Sequence, residues 1–197
     1  MNQYTIKALS SETWDAFADL CGRNNGGGMG GCWCTWFHRE THSAPGAGNT
    51  RSAEKTREYK RQRVENGTAH AALVFDGETA LGWAQFGSPA ELPGIAHRKE
   101  YLEWVEVLPD YRITCFMVDR HSRRAGVATA ALDGALTLIA ASGGGVVEAY
   151  PQDTPGRKVQ ASFLYSSTRP MFERAGFTYL RPKGKNHCIM RKVVPAA

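Results

Sequence analysis

Between residues 112 and 150 the chain carries a pattern that few architectures accommodate. Ile113-Thr114-Cys115-Phe116-Met117-Val118 is nearly all apolar, as a strand covered on both faces must be. The polar stretch Asp119 to Arg124 follows. Beyond it, Ala128, Ala131, Leu132, Ala135, Leu136 and Ile139 keep the three-and-four spacing of a helix with one buried side. Gly143-Gly144-Gly145 stops that helix, and Val146 to Tyr150 reads as a second strand. Strand, helix and strand in this order form a right-handed crossover whose strands run parallel. A mixed α/β fold is the expectation.

The flanking segments fit that class. Tyr4 to Leu9 reads as a strand. Ser11 then reads as an N-cap, with Trp14, Phe17, Ala18 and Cys21 on one face of a helix that ends at Gly22. Asn24 to Gly31 is a glycine-rich loop leading into Cys32-Trp33-Cys34-Thr35-Trp36-Phe37-His38, Ser43 to Thr50 is a second loop, and Ala53 to Val64 is a charged helix. Ala69 to Asp76 and Leu81 to Phe86 bracket Gly77 as an antiparallel hairpin. Pro89 to Tyr101 reads as irregular. A short helix ends at Ala175-Gly176-Phe177, and Tyr179 to Pro182 and Cys188 to Val193 flank a turn at Lys183-Gly184-Lys185-Asn186.

A length of 197 residues suits one domain. With 42% hydrophobic and 22% charged residues, wholesale disorder is excluded. No run of about 18 apolar residues exists, so no membrane partner is expected. The segment Met1 to Lys7 lacks the apolar core of a secretory signal, and a soluble, cytoplasmic protein is expected. The five cysteines are then reduced thiols. A net charge of +5 invites a nucleic-acid reading, but Lys55, Arg57, Lys60, Arg61 and Arg63 alternate with Glu54, Glu58 and Glu65, which describes a solvated helix face. No nucleic-acid partner is expected, whereas the charge does favour a phosphorylated small molecule.

The chemistry concentrates where the first strand of the crossover meets its helix, at Arg123-Arg124-Ala125-Gly126-Val127-Ala128-Thr129. A turn that aims free N–H groups at one point, at the positive end of a helix, makes an anion site. Arg123-x-x-Gly126-x-Ala128 resembles the arginine-or-glutamine, x, x, glycine, x, glycine-or-alanine signature of the GNAT N-acetyltransferase superfamily. Met171-Phe172-Glu173-Arg174-Ala175-Gly176-Phe177 is similar to that family's later helix end, and the order of elements is similar from Tyr4 to Val193.

The resemblance implies a largely antiparallel sheet flanked by helices, with a central splayed parallel strand pair that holds acetyl-CoA as co-substrate. It implies that the N–H groups from Arg124 through Thr129, beside Arg123, cradle the pyrophosphate. It also implies that the backbone of Phe116, Met117 and Val118 pairs with the pantetheine arm. The activity implied is acetyl transfer by direct attack of a primary amine on a small molecule or peptide. The alternative is a non-catalytic acyl-CoA sensor of the same fold. Homodimers are common in the family, although the sequence itself does not read out an oligomeric state.

One departure bears on mechanism. Many relatives carry a tyrosine four residues before the helix-ending glycine, where its hydroxyl protonates the leaving thiolate; this chain has Phe172. Tyr165, two turns earlier, and Thr168, one turn earlier, are the candidates to face the same side. Glu148 is the candidate base, because a charge inside Val146-Val147-Glu148-Ala149-Tyr150 is anomalous on a buried strand; Glu106 and Asp119 are weaker alternatives. In the family layout residues 22–66 lie near the acceptor side, so Trp33, Cys34, Trp36 and Phe37 are candidates to shape the acceptor pocket. Gly26-x-Gly28-x-x-Gly31 matches a dinucleotide fingerprint only formally, since it follows a helix. Cys32, Cys34, His38 and His42 are set too tightly for a structural zinc site, and no metal is expected.

Overall fold

The structure, a computed structural model, describes residues 4–25, 31–39, 52–153, 155–156 and 159–197, with no side chains described at 161–163. The loop at 43–50, His42 and the glycines of the formal fingerprint at 26 and 28 lie outside the described residues.

Along the chain run β1 (Thr5–Ala8), α1 (Trp14–Arg23), a 3-10 turn (Trp36–His38), α2 (Ala53–Glu65), β2 (His70–Asp76) and β3 (Thr79–Gly87). Then come α3 (Arg98–Trp104), β4 (Tyr111–Val118), α4 (Val127–Ala141) and β5 (Gly145–Ala149). A second 3-10 turn (Ala161–Ser166), α5 (Arg169–Arg174), β6 (Thr178–Lys183) and β7 (His187–Val194) complete the order. The strands form one sheet in the order β1-β2-β3-β4-β5-β7-β6. Every pairing is antiparallel except β4 with β5, the crossover that the apolar run, helix and triple glycine announce.

The sheet is covered on both faces, which explains why β2 and β4 read as apolar runs rather than alternating ones. Ala72 and Val74 of β2, with Ile113 and Phe116 of β4, pack under α4 through Ala131, Leu132, Ala135 and Ile139, and α5 adds Met171 and Phe172. Leu73 and Phe75 of β2, Trp83 of β3 and Met117 of β4 face the other way, against Trp14, Phe17 and Leu20 of α1 and against Trp33. Gly82 of β3 lies directly beneath the first turn of α4. A Cβ there would stand 2.6 Å from the Met117 carbonyl oxygen and 2.8 Å from Val127 Cγ1. Gly82→Ala is therefore expected to cost about 1–3 kcal/mol through overpacking, read as a lower urea midpoint at unchanged m.

One helix has no counterpart in the sequence reading: α3 begins inside the stretch Pro89 to Tyr101 that reads as irregular and runs on to Trp104. It starts from His97 in the left-handed conformation, φ 53°, and buries Tyr101.

Candidate active site

The parallel pair is short. Tyr111, Arg112 and Ile113 pair with Val147, Glu148 and Ala149, and there β5 ends while β4 continues to Val118. The fork coincides with a bulge: Gln85 of β3 faces Cys115 and Phe86 faces Ile113, so Thr114 is the surplus residue of β4. The bulge turns both Thr114 and Cys115 toward the α1 side and returns Phe116 to the α4 side. Beyond Ile113, the edge of β4 that turns away from β3 has no strand beside it among the described residues. Phe116, Met117 and Val118 lie on this stretch.

The same strand leads into the loop before α4. Arg124 and Gly126 adopt positive φ, 64° and 82°, and Gly126 is the N-cap residue. The first helical hydrogen bond runs from Ala130 N–H to the Gly126 carbonyl at 3.0 Å. The amides of Val127, Ala128 and Thr129 therefore point out of the helix end. Nothing lies within 4 Å of where a Gly126 Cβ would be, and no acidic residue occupies the first turn. Arg123 and Arg124 are exposed and enter no ion pair among the described residues. The Tyr4 hydroxyl donates to the Ala125 carbonyl at 2.8 Å and ties the loop to the N-terminal segment. An open cradle of amides with two free cations is what a pyrophosphate requires.

A cavity opens at the fork. Thr114, Tyr150 just past the end of β5, Trp36 and Phe37 of the first 3-10 turn, and Tyr165 and Ser166 of the second line it, and at about 20 Å³ it has room for about one water. Ile95, Ala96, His97, Lys183 and His187 close the far end. Tyr165 stands between Phe37 and His187, with ring centroids 6.1 and 6.3 Å away. Burial, and behind it the neighbouring Cys115, push its phenol pKa up, so the hydroxyl keeps its proton.

Of the four aromatic-segment candidates, Trp36 and Phe37 reach this cavity and Trp33 and Cys34 do not. Trp33 stacks on Trp14 at 6.3 Å, in the core of the α1 side. Cys34 donates its thiol to Gln85 Oε1 at 3.0 Å, and Gln85 Nε2 donates to the Cys34 carbonyl at 3.0 Å. Gln85, fully buried, also accepts from Thr114 Oγ1 at 3.1 Å and donates to His38 Nε2 at 2.8 Å. Trp33 and Cys34 both carry positive φ, 46° and 55°, a strained pair in non-glycine residues. That strain is held by the Gln85 network, which seats Trp36 and Phe37 above the fork. His38 donates from Nδ1 to the Glu91 carbonyl at 2.9 Å, and burial together with the Lys60 ammonium pulls its pKa down to about 2. A neutral His38 then leaves Nε2 to accept. Among the described residues no group of three His, Cys, Asp or Glu is placed to hold a metal ion.

Phe172 lies elsewhere. It is fully buried on the α4 side, edge-on to Phe116 at 5.9 Å and to Phe177 at 5.0 Å. The expectation that Tyr165 shares a face with it is corrected. The two lie on opposite faces of β4, because Tyr165 belongs to a separate 3-10 turn and α5 starts only after Thr168. Thr168 itself is the N-cap residue of α5 and forms a bridge to Gln152.

Glu148 is fully buried and its acceptor sites are filled. Tyr101 and Tyr150 donate their hydroxyls to Oε2 at 2.8 and 3.0 Å, and Arg191 donates to Oε1 from Nη2 at 2.5 Å and Nε at 3.2 Å. The carboxylate meets the cavity only through Tyr150. Asp119 is held by Arg23, Asn24 and the His121 amide at the opposite end of β4. Tyr150 is the residue that sequence reasoning passed over. Its signal was its place, an aromatic hydroxyl directly after the strand that carries the anomalous Glu148.

No protein-family model and no curated protein matches the chain. Solved structures match along nearly its whole length. One is from Corynebacterium glutamicum, described as histone acetyltransferase HPA2 and related acetyltransferase, at 16% identity and TM-score 0.56, covering 98% of this chain and 97% of that one. A second, from Desulfovibrio desulfuricans, is described as an acetyltransferase of the GNAT family, at 15% identity and TM-score 0.54, covering 98% and 99%. The chain has the GNAT fold. A third structure of this GNAT likeness, from Salmonella typhimurium, is described as an acetyltransferase with its cofactor acetyl-CoA, at 13% identity and TM-score 0.52, covering 98% and 95%.

Proposed function

We propose that this GNAT-fold protein is an acetyl-CoA-dependent N-acetyltransferase that acetylates a primary amine by direct attack in a ternary complex. The observation that carries the reading is the alignment of three features along β4: the open amide cradle at Gly126, the unpaired edge at 116–118, and the aromatic cavity at the fork. The Arg124 to Thr129 amides and Arg123 would hold the pyrophosphate. The edge at Phe116, Met117 and Val118 would pair with the pantetheine arm. When bound, acetyl-CoA supplies the thioester that the amine attacks. A fixed backbone donor on that edge favours the charge that builds during attack over the neutral ground state.

Trp36 and Phe37 form the acceptor wall, with Trp33 and Cys34 holding them in place. Tyr165, which lines the cavity, serves as proton donor to the leaving thiolate. Glu148 takes the proton of the attacking amine through the Tyr150 hydroxyl, which already donates to it. The sensor alternative rests on Phe172, and the presence of Tyr165 in the cavity supplies the hydroxyl that Phe172 lacks.

Release of coenzyme A thiol with both substrates varied tests the mechanism. Direct attack predicts intersecting double-reciprocal lines, and parallel lines would contradict it. Tyr165→Phe is expected to lower kcat by about 100-fold, the low end for loss of a general acid, because a thiol of pKa about 8.5 leaves tolerably unaided. Acetyl-CoA affinity should be unchanged in that variant.

A further inference from the structure

Beside the first 3-10 turn, thiols gather around one buried ammonium. Lys60 sits among glutamates in the sequence as if on a solvated face, yet the structure buries it, 1% exposed, in the stripe Thr56, Lys60, Val64 of α2. No Asp or Glu pairs with it among the described residues. Its Nζ donates to His38 Nε2 at 3.1 Å, and the ionisable groups near it that would favour its charge are Cys34, Cys115 and Cys21. A buried ammonium is costly unless an anion stands beside it.

Cys34 is the thiol best placed to supply that anion. With its proton on, it donates to Gln85 Oε1 at 3.0 Å. With the proton lost, its sulfur faces the Cys115 thiol and the Trp83 indole N–H as donors and Lys60 as cation. Trp83 is 1% exposed, and its Nε1 has no other hydrogen-bond partner among the described residues. Burial alone would raise the Cys34 pKa, but the Cys115 hydrogen bond, Lys60 and Trp83 outweigh it and bring it below the usual thiol value. Cys115 moves the opposite way, through its hydrogen bond to Cys34 and then burial. Cys115 stands across from Gln85 in the register of β3 and β4, on the stretch of β4 that has left β5, and there it is only half-buried. A small oxidant can therefore reach the pair from the Cys115 side.

We propose that Cys34 and Cys115 are a redox pair, closed to a disulfide by a hydroperoxide, that ties the segment bearing Trp36 and Phe37 to β4 at the fork. The Cys34 thiolate attacks one peroxide oxygen, the O–O bond breaks, and hydroxide leaves a sulfenic acid on Cys34. The Cys115 sulfur then attacks the Cys34 sulfur, the S–S bond forms, and the hydroxyl departs as water with the Cys115 proton. Two thiols give up two electrons and two protons, and hydrogen peroxide becomes two waters. The pairing itself needs nothing from the transferase reading; its shielding by acetyl-CoA, laid along the same stretch of β4, rests on it.

Peptide mapping of the parent protein after hydrogen peroxide, with remaining thiols alkylated, should find Cys34 joined to Cys115, reversed by dithiothreitol, while Cys188 in the α4-side core stays reduced. Cys115→Ser should stop at the sulfenic acid, trapped by dimedone. Lys60→Met should slow cross-linking by about tenfold or more, the thiolate fraction carried by one pKa unit. Acetyl-CoA at ten times its dissociation constant should slow it by about tenfold. No cross-link at peroxide that oxidises free cysteine, a cross-link from Cys34 to Cys21 or Cys32 instead, or an undiminished rate in folded Lys60→Met would overturn the pair. The mapping on the parent protein decides without any variant. Undiminished oxidation in protein that binds acetyl-CoA would overturn the placement of the pair at the fork. Failure to bind acetyl-CoA would strike the transferase reading and leave the mapped disulfide standing.

Discussion

Gly126→Glu is expected to raise the acetyl-CoA dissociation constant by more than about 100-fold, equivalent to roughly 3 kcal/mol, with turnover lost in parallel. Two effects combine. Residue 126 sits at φ 82°, where an L side chain costs about 1–2 kcal/mol, and the new carboxylate stands in the proposed pyrophosphate site. The open space around a Cβ at this position means strain without a clash, so the fold should survive. Gly126→Ala separates the two contributions, since it carries the strain and no charge. It should weaken binding by no more than about tenfold. Calorimetry on folded protein, checked by circular dichroism, reads both. A glutamate variant that binds acetyl-CoA like the parent would remove the α4 N-terminus from the site.

The largest stability effect is expected at Glu148. Glu148→Ala leaves the buried Tyr101 and Tyr150 hydroxyls without their acceptor and the Arg191 guanidinium, 32% exposed, to water, a loss of about 2–4 kcal/mol. For a chain of this size that lowers the midpoint of thermal unfolding by about 10 °C. Loss of activity in that variant would therefore say little about chemistry. Tyr150→Phe is the sharper probe of the proton path, because Glu148 keeps Arg191 and Tyr101. It should cost about 1 kcal/mol of stability and lower kcat by about 100-fold. Full activity in Tyr150→Phe would contradict the relay, and an unfolding midpoint unchanged in Glu148→Ala would contradict the ion-pair assignment.

The crossover from β4 to β5 was legible because burial on both faces leaves an unbroken apolar run, and because three glycines with positive φ end the helix. The hairpin of β2 and β3 and the final pair β6 and β7 were legible from their turns. α3 was not, since it begins from a left-handed His97 and buries chiefly one residue, so it carries no periodic signal. The bulge at Thr114 left no mark either. It is set by the pairing of Gln85 with Cys115 across two strands, which no local pattern encodes. In the site, the loop at Gly126 was readable from residue types whose backbone does the work. The assignment of Trp33, Cys34, Trp36 and Phe37 as one group dissolved for a physical reason. Two consecutive positive-φ residues fold the segment back on itself, so Trp33 and Cys34 turn into the core on the α1 side while Trp36 and Phe37 line the cavity. Tyr165 and Phe172 parted likewise, on opposite sides of β4.

In the proposed complex, the edge of β4 at 116–118 and the amides at the start of α4 receive acetyl-CoA. Amide hydrogen exchange with and without saturating acetyl-CoA tests it most directly. Slowed exchange is expected, concentrated at residues 114–118 and 124–129. Saturable binding that leaves both segments unprotected, or that protects a different surface, would contradict it.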